Sequence, residues 1–176
     1  QSGITLMQMD IGLDTGDMLA KESLDITDET TGQSLHDDLA QLGAKMLLPL
    51  LDELDKLHPE KQDESLVTYA DKLSKTEAKL DFTKSAEDLE HQIRAFTPWP
   101  GSFFTWQDKI IKVLKAHTIE NTMHAKLGTL VVENGTLGIA CTEGILVIDM
   151  LQVQGKKPMD VKAFLNGYHP ENGTIL

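Results

Sequence analysis

The segment M-D-I-G-L-D-T-G-D-M-L, Met9 to Leu19, places the carboxylates of Asp10, Asp14 and Asp17 among Gly12, Gly16 and Thr15. Aspartate and glycine at this density make a tight turn by themselves, because glycine accepts positive φ and aspartate bonds its own backbone. The same residues can do chemistry. A carboxylate in a glycine-rich turn can orient a histidine and stabilise its cationic form while a proton moves. A calcium loop is excluded, since the carboxylate spacing and glycine placement do not follow that loop's alternating ligands. For the proton-handling role Asp14 needs a histidine partner. The six histidines, His36, His58, His91, His117, His124 and His169, form no metal-ligand pair, and none lies near Asp14 in sequence. They read as surface or interface residues. No glycine-rich phosphate loop, nucleophile elbow or kinase signature is present, and no metal is expected.

The elements around this turn follow from pattern. Ile4 to Met9 and Met18 to Leu24 read as short strands joined by the acidic turn. Thr30 and Thr31 can cap a helix, with Asp28 and Glu29 suited to the positive end of its dipole. Leu35, Leu39, Leu42, Met46, Leu50, Leu54 and Leu57 then recur at spacings of three and four, one apolar face of a long helix that Pro49 should kink or end. Two strands and one helix give no sheet able to cover that helix, so something that should pack against residues 1 to 57 is expected to be missing. The chain opens at Gln1 rather than methionine, which reads as a truncated product or a piece cut from a longer chain.

From His58 to Lys84 the sequence turns polar, as in an extended linker over a surface. Ser85 and Asp88 form a capping box ahead of Leu89, Ile93 and Phe96, a second helix stopped by Pro98 and Pro100. Five short strands follow, over Ser102 to Trp106, Ile110 to Ala116, Gly128 to Val132, Leu137 to Cys141 and Ile145 to Gln152, with Asn134-Gly135 as a hairpin signal and a small helix near Val161 to Leu165. The expected fold class is mixed α+β. It comprises a β-hairpin plus long helix over 1–58, a linker over 59–79, and a five-stranded barrel of the oligonucleotide-binding (OB-like) type with flanking helices over 80–176.

Composition narrows the partners. A net charge of -12 argues against a general nucleic-acid binder, but residues 1–85 carry 8 basic against 18 acidic residues whereas 91–170 carry 8 against 6. Arg94, Lys109, Lys112 and Lys115, with Lys156 and Lys157 in Gly155-Lys156-Lys157-Pro158, can form a phosphate-contacting stripe or simply be solvated. Trp99, Phe103, Phe104 and Trp106 can stack bases, although core positions are the expectation for Phe103 and the aromatics flanking Pro100. The one cysteine, Cys141, excludes an internal disulfide, reads as a buried strand residue and fits a reducing cytoplasm. No apolar run reaches the roughly 18 residues of a spanning helix, and no membrane association is expected.

Taken together, "GITLMQMDIGLDTGDML", "LVTYADKLSKTEAKLDF", "IRAFTPWPGSFF" and "LQVQGKKPM" followed by "FLNG" resemble the methionyl-tRNA formyltransferase family, in its order along the chain. The acidic turn alone is shared with other folate-dependent formyltransferases. The resemblance implies transfer of a formyl group from 10-formyltetrahydrofolate to the amino group of methionyl initiator tRNA. It implies that 1–58 is the C-terminal part of an α/β catalytic domain and that the C-terminal barrel helps to hold tRNA. The family's catalytic aspartate falls on Asp14, in "GLDTG". Its asparagine and histidine would lie upstream of Gln1, in the missing N-terminal half, so the chain alone is expected to be inactive, with no folate bound. A monomer is expected at full length. A formyltransferase acting on an amino sugar and a free-standing RNA-binding module are the rival readings.

Overall fold

The computed structural model describes residues 1–176, the side chain of Asp55 excepted. The chain divides into two compact units, Gln1–Lys72 and Leu73–Leu176. The expected linker over 59–79 thus splits, its first part belonging with one unit and its end with the other.

In the first unit β1 (Ser2–Met7) and β2 (Met18–Leu24) form an antiparallel hairpin in which Ile4 faces Glu22 and Met7 faces Met18, with a bulge between Leu6 and Met7. Helix α1 (Gly32–Asp52) begins at Thr31, whose hydroxyl accepts from the Ser34 N–H at 3.1 Å while the Thr31 N–H donates to the Ser34 hydroxyl at 3.0 Å. Asp28 and Glu29 precede this cap and lie outside the first turn. Pro49 sits within the last turn, and α1 ends at Asp52. Leu54 and Leu57, expected on the helix, instead belong to a 3-10 turn over Leu54–Lys56 and its cap, since the Glu53 N–H bonds the Leu50 carbonyl three residues back and the α ladder stops there.

Helix α1 packs on β1, where Gly43 comes close to the Ile4 side chain, yet Leu50 is its one buried residue. The periodic residues Leu35, Leu39, Leu42 and Met46 are half-buried, whereas Leu47, Leu48 and Leu51, outside that stripe, stay exposed. The polar segment after the helix is anchored rather than free: Glu60 exchanges both backbone hydrogen bonds with Met18 at 2.8 Å, and its carboxylate meets Lys21 Nζ at 2.8 Å.

The second unit is a curled antiparallel sheet with two helices. Its strands are β3 (Phe103–Trp106), β4 (Lys109–Ile119), β5 (Leu130–Glu133), β6 (Thr136–Ala140), β7 (Ile145–Val153) and β8 (Met159–Asp160), ordered β3-β4-β7-β6-β5 with β8 on β7. The five expected strands are all there within a few residues. Strand β8 adds a sixth, too short to leave a periodic signal. Asn134 and Gly135 both adopt positive φ between β5 and β6, the geometry that matches the right-handed twist of a hairpin. Gln107 and Asp108 do the same between β3 and β4, with no glycine to announce it.

Helix α2 (Ala86–Ala95) starts at Ser85, whose hydroxyl accepts from the Asp88 N–H at 3.0 Å and donates to its carboxylate at 2.8 Å. Leu89 and Ile93 are thereby aimed into a core with Ile111, Val113, Leu146, Ile148 and Leu151. Helix α3 (Val161–Tyr168) drives Phe164 into the same core, edge-on to Trp106 and stacked on Tyr168. An open cleft of about 470 Å³ separates the segment 79–83, beside β3, from Leu127 and Gly128, ahead of β5. Cys141 lies just past β6, 4% exposed, and donates its thiol to the Ile139 carbonyl. Burial pushes that thiol up from 9.0 to about 11.

Two outcomes follow from this packing. Phe164→Ala should destabilise the second unit by about 3–5 kcal/mol in urea unfolding, the cost of a cavity where three aromatic rings meet. Because the folded chain holds the Cys141 proton more tightly than the unfolded chain, the contribution of this thiol to stability should be constant below pH 9 and decline from pH 9 towards about 11. Cys141→Ala should remove that decline in pH-dependent unfolding.

Candidate active-site turn and nucleic-acid face

The acidic turn is closed by the Gln8 N–H, which donates to the Asp17 carbonyl at 2.9 Å. Gly16, buried beneath it, has no room for a side chain: a Cβ there would collide with the Gln8 carbonyl oxygen. From the far end of the unit the Gln62 side-chain amide donates to the carbonyls of Asp14 at 2.9 Å and Gly16 at 2.6 Å. Asp14 itself has φ of 56°, a left-handed conformation that aspartate tolerates better than most residues.

Among the described residues, one of the three carboxylates is engaged by the turn, while those of Asp14 and Asp17 are exposed and unengaged. Asp10 accepts from the Ile11 N–H at 2.7 Å, so it shapes the turn. Asp14 is exposed, and among the described residues no hydrogen bond or ion pair engages its carboxylate. Its backbone is fixed while its charge remains available to a cationic or proton-bearing group. Met9, Ile11 and Leu13 around it are also solvent-facing, at 84%, 104% and 91% exposure. Gln62 is a residue that sequence reasoning missed; forty-eight positions from Asp14, in a polar stretch, it carries no local signal.

In the second unit the expected basic stripe separates into parts. Arg94, in the last turn of α2, is 18% exposed and donates through Nε to Glu90 at 2.7 and 3.0 Å. On β4, Ile111 and Val113 are buried, so Lys112 projects away from the core, flanked by Phe103 on β3 and Gln152 on β7. Lys109 faces Trp106 at the start of the strand. Leu114 is bulged out between Val113 and Lys115, and the shift places exposed Lys115 opposite Met150.

Lys156 and Lys157 occupy the turn after β7, which is held by the Lys156 N–H on the Val153 carbonyl at 2.9 Å and by Gln152 Nε2 on the Lys156 carbonyl at 2.7 Å. Gln152 thus links the strand position opposite Lys112 to the turn that bears Lys156. His117, next along β4, shares its Nδ1 with Asp149 at 3.0 Å. Phe104 and Trp106 are core residues and Phe103 is half-buried, but Trp99, expected in the core beside Pro100, is 55% exposed. It sits in the turn between α2 and β3, outside either periodic pattern, so nothing directs it inward.

Comparison with known proteins bears on both units. Residues 72–169 match the model "Formyl transferase, C-terminal domain" and residues 1–51 match "Formyl transferase". The chain belongs to the formyl transferase family. A curated methionyl-tRNA formyltransferase from Rickettsia massiliae is 41% identical over all 176 residues, and the chain spans 58% of its length. Among solved structures, a HypX variant from Aquifex aeolicus superposes with a TM-score of 0.65 at 16% identity, covering 94% of this chain and 30% of that one. Methionyl-tRNA formyltransferase from Clostridium thermocellum gives 0.52 at 17% identity, covering 90% of this chain and 56% of its own. At those identities the structures establish the shared fold, and the family rests on the sequence matches.

Gly16→Ala should break the closure of this family turn. Hydrogen exchange would then show the Gln8 amide losing its protection while β4 and β7 amides keep theirs.

Proposed function

We propose that this chain supplies the aspartate and the RNA-holding unit of an enzyme that transfers a formyl group from 10-formyltetrahydrofolate to the amino group of methionyl initiator tRNA. The observation that carries the reading is the 41% identity to a methionyl-tRNA formyltransferase over all 176 residues, a match that includes both the acidic turn and the curled sheet. The contrast between the units supports it. Residues 1–72 hold 5 basic and 16 acidic residues, whereas 73–176 hold 11 and 12, with several lysines gathered on one strand and its neighbouring turn. A polyanion has reason to approach the second unit and to avoid the first.

In this reading the donor brings the formyl carbon, and Asp14 handles charge. Its exposed carboxylate, on a backbone held by Gln62, suits a residue that holds a histidine in its cationic form and helps to move the proton released by the attacking amine. That histidine, and the asparagine expected with it, would belong to the part of the relatives that this chain does not span. The turn offers a carboxylate and backbone amides and no apolar slot of its own, so we assign the folate no residue of this chain. We further read the curled sheet as an OB-like barrel opened along one seam; the antiparallel order of β3 to β7 and the cleft between its two edges support this. A monomeric enzyme of the reducing cytoplasm is the form that the reading implies; among the described residues no helix is long and apolar enough to cross a membrane.

In the complete enzyme Asp14→Asn should lower the rate of initiator-tRNA formylation by about two to four orders of magnitude, the loss expected from one member of a cooperating set. Single-turnover formylation measures it, and unaltered turnover would remove Asp14 from the site. Lys112→Gln and Lys156→Gln should each lower the slope of log affinity against log salt by about one for tRNA, as loss of one phosphate contact requires.

A further inference from the structure

The proposed function leaves Trp99 without a task. A tryptophan is the largest apolar side chain, and Trp106, the other one in the chain, is 4% exposed within an aromatic cluster. Trp99 leaves 55% of its surface open to water, and it does so from a well-anchored turn. The Thr97 hydroxyl donates to the Ile93 carbonyl at 2.7 Å, and the Gly101 N–H donates to the Phe96 carbonyl at 2.9 Å. Ser102, 1% exposed, accepts the Val113 N–H at 2.9 Å. The turn is thereby pinned to the end of α2 on one side and to β4 on the other. Prolines at 98 and 100 fix φ on both flanks of the ring, so little backbone freedom is left to lose when something binds it.

A cation also lies against the turn that carries the ring. Gly101, with φ of +81°, lies against the Lys112 side chain, and a Cβ at that glycine would be 3.8 Å from Lys112 Nζ. Across the strand pair Gln152 holds the turn that bears Lys156. Among the described residues neither Lys112 nor Lys156 forms an ion pair. An open π-face on an anchored turn, with the Lys112 ammonium against that turn and Lys156 in the turn after β7, supplies the two elements that single-stranded nucleic acid requires: a platform for a base and point charges for its phosphates.

We propose that Trp99 stacks on an unpaired base of the bound RNA, with Lys112 and Lys156 meeting the phosphates beside it. The proposal rests on the RNA-holding role given above and adds the residue that reads a base face rather than the backbone. Stacking of this kind tolerates any base, so it would strengthen and position tRNA more than it would select a sequence.

Trp99 can report on itself, because Trp106 is buried. Titrating the 176-residue chain with an initiator-tRNA transcript, and separately with poly(U), should quench tryptophan fluorescence. Trp99→Leu should abolish the quenching and weaken binding by about 5- to 100-fold with the salt slope unchanged, and Trp99→Phe should recover part of the affinity. Lys112→Gln should lower the salt slope and leave the quenching in place. If the wild-type chain binds no RNA, the RNA-holding role falls and this proposal with it. If it binds RNA but Trp99→Leu, folded by circular dichroism, binds equally well, or if polyglutamate quenches as strongly as RNA, the stacking alone is overturned.

Discussion

The ladder between β4 and β7 organises residues 73–176, since both helices pack on its strands and β3, β6 and β8 pair with them. From Ile111 opposite Val153 to Ile119 opposite Ile145 it brings two long strands together at the centre of the sheet. Its constraint is one of phase: side chains alternate across a strand, so a slip of one residue sends core residues to water and charges inward. The ladder shifts register twice near Lys115, and the shifts are what allow Val113 and Ala116 to be buried together while the lysine between them stays outside. Bulges of this kind bend and twist a sheet locally, in keeping with the curl. The lysines of β4 are therefore exposed as a consequence of the core.

The first unit works by a different economy of contacts. Its hairpin and helix bury little, yet the turn between β1 and β2 is specified in detail by a glycine with no space for Cβ and an amide that clamps two carbonyls. Local geometry is held by hydrogen bonds where hydrophobic burial is thin. This arrangement fixes a backbone and leaves the Asp14 carboxylate open to solvent. The leucines left open on α1 show the complementary feature, apolar residues beside the packed stripe that the hairpin does not cover.

Much of this architecture could be read directly from the residues. Ser85 and Asp88 marked a helix start because a hydroxyl and a carboxylate three positions apart satisfy free backbone amides, and Asn134-Gly135 marked a hairpin because both positions need positive φ. What escaped has physical reasons as well. Gln107 and Asp108 make a similar turn without glycine, and β8 has two residues, too few to alternate. The Glu60 bridge to Met18 and the Gln62 clamp depend on chain segments far apart in sequence, which no window of residues can relate. Asp14 is singled out by resemblance across several segments; its spacing alone leaves it one of three aspartates. Trp99 was misplaced because aromatic character predicts burial only where periodic structure supplies a direction.

The Gln62 clamp also bears on modularity. A seam drawn at the end of the helical region, where the composition turns polar, looks like the natural border for exchanging halves between relatives. A chimera joined there would leave the acidic turn with a foreign residue, or none, beneath its two carbonyls. Recombination or engineering that carries the turn intact has to carry the polar stretch through Gln62 with it, so the inheritable unit is longer than its secondary structure.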